Sequence, residues 1–106
     1  MDRKPVQGLV ARIRQLRLMM LVHSYIYYHL NDSLISDHEW QALGDELVIL
    51  QADRYEIGCY DEAFYNWDAS TGFHLPTDSW VRSKALYLLR ISRKPAPRLR
   101  QRLIAE

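Results

Sequence analysis

Val6, Leu9, Ile13, Leu16, Met20, His23, Tyr27 and Leu30 alternate spacings of three and four without a break. This is one face of an α-helix, and it predicts a helix over residues 6–30. Pro5 suits its first turn, where the backbone N–H groups have no intrahelical partner. Val10, Leu21 and Val22 widen the stripe beyond a coiled-coil seam, so the helix is expected to pack inside a domain. Asn31-Asp-Ser33 breaks it. Ser36-x-x-Glu39 reads as a capping box, in which the serine hydroxyl accepts from the backbone three residues on and the glutamate reaches back. Trp40, Leu43, Leu47 and Leu50 carry the next stripe and predict a helix over 37–51. A connection of about six residues makes such a pair antiparallel. Leu9, Ile13, Leu16, Met20, Leu43, Leu47 and Leu50 are the predicted core.

The second half is less regular. Residues 61–67 suit a short helix with Ala63, Phe64 and Trp67 on one side. Asp68-Ala-Ser-Thr-Gly-Phe-His-Leu-Pro76 has the turn formers of a structured loop. Thr77 is placed to cap a helix over 78–92, whose apolar residues are Trp80, Val81, Leu88, Leu89 and Ile91. Pro95 and Pro97 end it and leave a basic end segment over 93–106. Strand alternation and internal repeats are not visible. The expected fold is all-α: a single helical domain, with a long antiparallel helical hairpin and a smaller helical C-terminal half.

Charge changes this picture. The net charge of +1 conceals segregation: residues 1–30 carry +4, residues 31–80 carry −10 and residues 81–106 carry +7. Either basic helices neutralise an acidic middle, or the molecule presents an acidic face to a basic partner and a basic tail to phosphates. A chain of 106 residues makes one domain, and its single cysteine, Cys59, forms no intrachain disulfide, which points to a reducing compartment. Arg12, Arg14 and Arg17 before Leu18-Met-Met-Leu-Val22 imitate a signal peptide. That apolar run is short and lacks a cleavage pattern, so a cytoplasmic protein with no membrane partner is expected.

Between the two stripes the residues form a recognisable series: His23-Ser-Tyr-Ile-Tyr-Tyr28, Ile35-Ser-Asp-His-Glu-Trp40 and Leu43-Gly-Asp-Glu-Leu47. In order and spacing, residues 16–52 resemble the N-terminal Ia subdomain of bacterial NAD-dependent DNA ligases. The 68–76 segment is similar to short stand-alone ligase-related proteins of bacteriophages. The resemblance implies a hairpin that grips the nicotinamide mononucleotide (NMN) half of NAD. It implies Tyr27 as the stacking ring, Tyr28 as the adjacent polar contact and Asp37 as the acid after Ile-Ser. Trp40 stands where the family has a second tyrosine, keeping a ring face and losing the hydroxyl. Gln41 stands where the family has an aspartate, and an amide holds ribose hydroxyls or a pyridinium charge less strongly than a carboxylate. Oxidised nicotinamide is a flat cation, which aromatic faces beside an acid suit.

Other chemistry is sparse. The ligases' covalent step needs Lys-x-Asp-Gly, and Lys4, Lys84 and Lys94 all lie in other settings, so no enzyme is expected. His23 and His29 lack helical ligand spacing and a cysteine partner set, so no metal site is expected. Asp45-Glu46 and Asp61-Glu62 read as solvated acids. Cys59 has no activating neighbour in sequence.

Three functions follow. The first is a small non-catalytic interaction protein of phage type that binds, or also inhibits, a host nucleic-acid-handling or defence protein with a basic surface. Asp61, Glu62 and Asp68 would steer that partner, and Phe73 would anchor it. The second is a stand-alone module for NAD or NMN using Tyr27, Tyr28, Asp37, Trp40 and Gln41. The third is a weak nucleic-acid binder using Arg93, Lys94, Arg98, Arg100 and Arg102.

Overall fold

The computed structural model describes residues 3–54 and 56–92, with side chains from residue 8 onward. Arg93, Lys94, Arg98, Arg100 and Arg102 of the predicted basic end segment, and the side chain of Val6, lie outside the described residues. Among those described, the chain is all-helical, with four helices and no strand.

Helix α1 spans Arg3–His29, about 40 Å at 1.5 Å per residue. It starts two residues before Pro5, which the first turn tolerates because those N–H groups have no acceptor in the helix. It ends where Asn31 takes a left-handed backbone (φ 56°), so that the Asp32 N–H returns to the Ile26 carbonyl at 3.0 Å. Helix α2 spans Asp37–Leu50 behind the predicted capping box. The Glu39 N–H donates to Ser36 Oγ at 3.0 Å, and the Ser36 N–H donates to Glu39 Oε1 at 2.8 Å.

Helix α2 runs back along α1. Trp40 meets Ser24 near the turn, Gly44 lies against Met20, and Glu46 reaches Arg12 farther along. Contacts that move toward the start of α1 as α2 advances define an antiparallel pair. Helix α3 is a single turn, Asp61–Phe64, shorter than the 61–67 expected. Helix α4 spans Ser79–Ser92 and packs on α1. Its cap is Asp78, whose Oδ1 accepts the Val81 N–H at 3.0 Å, in place of the expected Thr77. An aspartate directly before the first turn also complements the helix dipole.

One core joins Ile13, Leu16, Met20 and Leu21 of α1 to Leu47, Ile57, Phe64, Leu75 and Val81. A second sets Val22 and Ile26 against Ala85 of α4. Helix α1 is therefore the spine, covered by α2, residues 57–75 and Val81 of α4 in one cluster and by Ala85 of α4 in the other. Leu9, Leu43 and Leu50 from the predicted core are partly buried and pack against the first cluster.

The stripe fails at its end. Tyr27, in register with it, is 50% exposed, while Ile26 is fully buried. Ile26 lies about 100° around the helix from Tyr27, on the face that α4 covers, where it packs with Val22 against Ala85.

Ion pairs tie the basic first helix to the acidic middle. Arg12 donates through Nε and Nη2 to both oxygens of Glu46, at 2.8 and 2.7 Å. Arg17 is fully buried. It donates to Asp61 Oδ1 at 2.6 Å, to the Cys59 carbonyl at 2.9 Å and to Gln51 Oε1 at 2.9 Å, and its guanidinium lies over the Phe64 ring.

Candidate functional site

The hairpin's turn creates a cleft. The last turns of α1 supply His23, Tyr27 and Tyr28, and the connection supplies residues 33–36. The first turn of α2 supplies Asp37, Trp40 and Gln41, and Ser70 closes one side. Its volume is about 220 Å3, below the roughly 300–1,000 Å3 of drug-sized sites, which is room for one flat ring and not for a dinucleotide. The five residues proposed from sequence as ligand contacts all line it. A shallower groove beside it shares Tyr27, Tyr28 and Ser33 and adds Asn31 and Asp32. Asp32 and Asp37 thus flank the two tyrosines, and among the described residues no lysine or arginine lines either hollow.

The 68–76 segment is folded over this end of the hairpin. Its anchor is Gly72, where an added Cβ would come within 2.1 Å of Ser24 Oγ and 3.1 Å of the Trp40 ring. Only a glycine lets the loop backbone approach this closely. Ala69 sits beside Gly44 of α2, and the Trp67 indole donates to the Thr71 carbonyl at 2.7 Å. Tyr28 Oη and Thr71 Oγ1 share a hydrogen bond of 3.1 Å.

Trp40 and Gln41 both have partners on this side of the hairpin. The Trp40 indole donates to Ser24 Oγ at 3.2 Å and meets Trp67 edge to face. Gln41 Nε2 donates to the Ala69 carbonyl at 3.1 Å and to Asp45 Oδ1 at 2.9 Å. An aspartate at position 41 has no proton to offer these acceptors. Gln41 therefore holds the loop and Trp40 backs Gly72, while Tyr27, Tyr28 and Asp37 line the cleft as exposed side chains.

His23 borders the same cleft. Its Nδ1 is buried without a hydrogen-bond partner. Burial pushes its pKa below the ordinary histidine value, against the pull of Glu39. The ring is therefore neutral at pH 7.

The four residues read as partner contacts have different fates. Asp61, expected as a solvated acid, is the counter-ion of Arg17 and also accepts the N–H groups of Ile57, Gly58 and Cys59. Desolvation alone would raise its pKa, but the backbone donors and Arg17 outweigh it and bring it down to about 2. Glu62 is exposed and borders a shallow groove with Tyr60, His74 and Pro76. Asp68 is exposed, and Ser70 holds its carboxyl below the usual range. Phe73 is 49% exposed. Its ring stacks on His29 at 5.7 Å and meets Tyr28 edge to face at 5.5 Å. Tyr28 in turn meets Tyr27 at 4.9 Å. Phe73 thus extends the aromatic rim of the cleft.

Sequence reasoning missed Ser24, Ser70, Thr71 and Gly72, whose roles arise from contacts across the chain. Cys59, only partly buried, has its thiol pKa raised by desolvation, opposed by Arg17 and Arg14. Among the described residues, no three His, Cys, Asp or Glu side chains are grouped to hold a metal, and no helix is long and apolar enough to cross a membrane. No family model matches the chain, and neither the curated proteins nor the solved structures give a significant match.

Proposed function

We propose that the chain is a non-catalytic binding module whose cleft takes the flat cationic ring of a nicotinamide nucleoside. One observation carries this reading: Tyr27, Tyr28, Asp37, Trp40 and Gln41, the residues that the ligase resemblance names, line a single cleft. Two exposed tyrosines flanked by two acids favour a positive ring, at about 0.5–2 kcal/mol per cation–π contact. The phosphates of NMN or NAD find no cation among the described lining residues, so the nicotinamide ring and its ribose are the part of the ligand that fits. The absence of Lys-x-Asp-Gly from the sequence supports a role without covalent chemistry.

Calorimetric titration tests it with 1-methylnicotinamide, nicotinamide riboside, NMN and NAD. The riboside should bind at least as tightly as NMN, and neutral nicotinamide should bind more weakly than its methylated cation. Tyr27→Ala and Asp37→Asn should each weaken binding by about 2- to 30-fold. Absence of heat from all four ligands at millimolar concentration removes the proposal.

A second reading, a protein partner with a basic surface, is supported by the continuous exposed rim of Tyr27, Tyr28 and Phe73. Aromatic rings of this kind concentrate binding energy, while nearby acids set the association rate. In this reading Phe73→Ala speeds dissociation from the partner, and charge reversal at Glu62 and Asp68 slows association. Binding unaffected by either change would exclude this surface.

A further inference from the structure

Helix α4 has a second face that neither reading uses. Val81 and Ala85 are fully buried, and Leu88 and Leu89 pack against the α1 cluster. On the outer side Trp80, Lys84, Tyr87 and Ile91 follow one another at spacings of four, three and four, forming one ridge. Trp80 is 43% exposed and Tyr87 is 44% exposed. Lys84 Nζ lies 5.3 Å from the Tyr87 ring centroid, and the Arg90 guanidinium lies 5.5 Å from it. The helix carries Arg82, Lys84 and Arg90 and no acid, in a chain whose preceding fifty residues carry −10.

We propose that this ridge docks single-stranded nucleic acid, with Trp80 and Tyr87 stacking on bases and Lys84 and Arg90 meeting phosphates. Interleaved rings and cations are what an unpaired strand needs, because every base has a π face and every link a charge. Trp80 and Tyr87 are separated by about 10 Å along the helix axis, close to three nucleotides at the roughly 3.4 Å per phosphate of a stacked strand. Both cations lean on Tyr87 in the free chain. A base that takes their place on the ring sends them outward to the flanking phosphates. A lipid surface fits less well, because Val81, Ala85, Leu88 and Leu89 are spent on the fold, and the apolar side chains left exposed, Trp80, Leu86, Tyr87 and Ile91, are interleaved with Arg82, Lys84 and Arg90.

Fluorescence anisotropy with the full chain and a labelled oligothymidylate strand tests this at low salt. Saturable binding is expected, and Trp80→Ala and Tyr87→Ala should each weaken it by about 5- to 100-fold. Lys84→Gln with Arg90→Gln should lower the slope of log affinity against log salt by about 1.4, two phosphates at about 0.7 each. These residues are exposed, so circular dichroism should show all variants folded. A full-length variant with Arg93, Lys94, Arg98, Arg100 and Arg102 changed to glutamine separates the ridge from the cations that follow it in sequence. It should bind more weakly but keep its dependence on Trp80. Three results overturn the proposal: no saturable binding, parent-like affinity in Trp80→Ala and Tyr87→Ala, or Tyr87-dependent binding to phosphatidylserine vesicles without binding to the strand.

Discussion

Gln41 Nε2 donates to the carbonyl oxygen of Ala69 at 3.1 Å, and this bond fastens the 68–76 loop to the first turns of α2. An amide is required, because the same nitrogen also serves Asp45 Oδ1. A carboxylate at this position would set negative charge against a carbonyl oxygen and an acid together.

Gln41→Glu should therefore loosen the loop, where from the ligase pattern alone an acid would be expected to improve ligand binding. The expected cost is about 1 kcal/mol, the net worth of a partly exposed hydrogen bond, read from the urea midpoint. Faster amide hydrogen exchange at Ser70 and Thr71 should accompany it. Unchanged exchange would show that the loop is held elsewhere.

Gly72→Ala tests the other anchor. Its Cβ would fall 2.8 Å from Ser24 Cβ and 2.1 Å from Ser24 Oγ, and Ser24 is buried on α1 with no room to retreat. The loop must lift, at a cost of about 1–3 kcal/mol for overpacking. Chemical denaturation measures the cost. Quenching of Trp67 fluorescence by acrylamide should rise, because that indole donates to the Thr71 carbonyl beside the glycine.

His23 gives a pH dependence of defined sign. Desolvation lowers its folded pKa below the unfolded value, so protonation favours the unfolded chain. Its contribution to stability is full above the unfolded pKa of about 6.5 and declines as pH falls from there toward the folded value. His23→Leu removes both the titration and the buried Nδ1 that has no partner. The melting temperature of this variant should be at or above that of the parent at pH 7, with a flatter decline between pH 7 and 5.5. A parallel decline in the two proteins would assign it to another group.

What the sequence made legible follows the range of each interaction. The capping box of Ser36 and Glu39 lies within four residues, and it appears as read. The helical stripes place α1 and α2, and their short connection sets them antiparallel. Tyr27, in register with the core stripe yet named as a ligand contact, is half exposed, because spacing alone does not show where the covering elements end. The role of Arg17 was invisible, since its partners Gln51, Cys59 and Asp61 lie 34 to 44 residues away. The five residues that the resemblance names line one cleft, whereas Ser70 and the Gly72 anchor depend on a loop docking that no local pattern encodes.

The Arg17–Asp61 pair carries the strongest stability prediction. Arg17 is wholly buried, and the Asp61 side chain is 36% exposed, so the two ends of one ion pair are not equivalent. Asp61→Asn keeps the shape but strips the counter-charge from a buried guanidinium, which should cost about 3 kcal/mol, the low end for breaking a buried pair. Arg17→Met leaves Gln51 Oε1 and the Cys59 carbonyl without their donor and should cost a similar amount. The double variant should cost less than the sum, because neither charge is then stranded, and a double-mutant cycle reads that coupling directly. Acid gives an independent check. The folded Asp61 pKa of about 2 lies below its unfolded value, so its contribution is complete above about pH 4 and is lost as pH falls through 2. Asp61→Asn should remove that segment of the acid-unfolding curve while leaving the decline near pH 6 in place. Were the parent and Asp61→Asn curves to superimpose between pH 4 and 2, the carboxylate would be bearing no net load on the fold, and Gln51 and the Cys59 carbonyl would be the groups that hold Arg17.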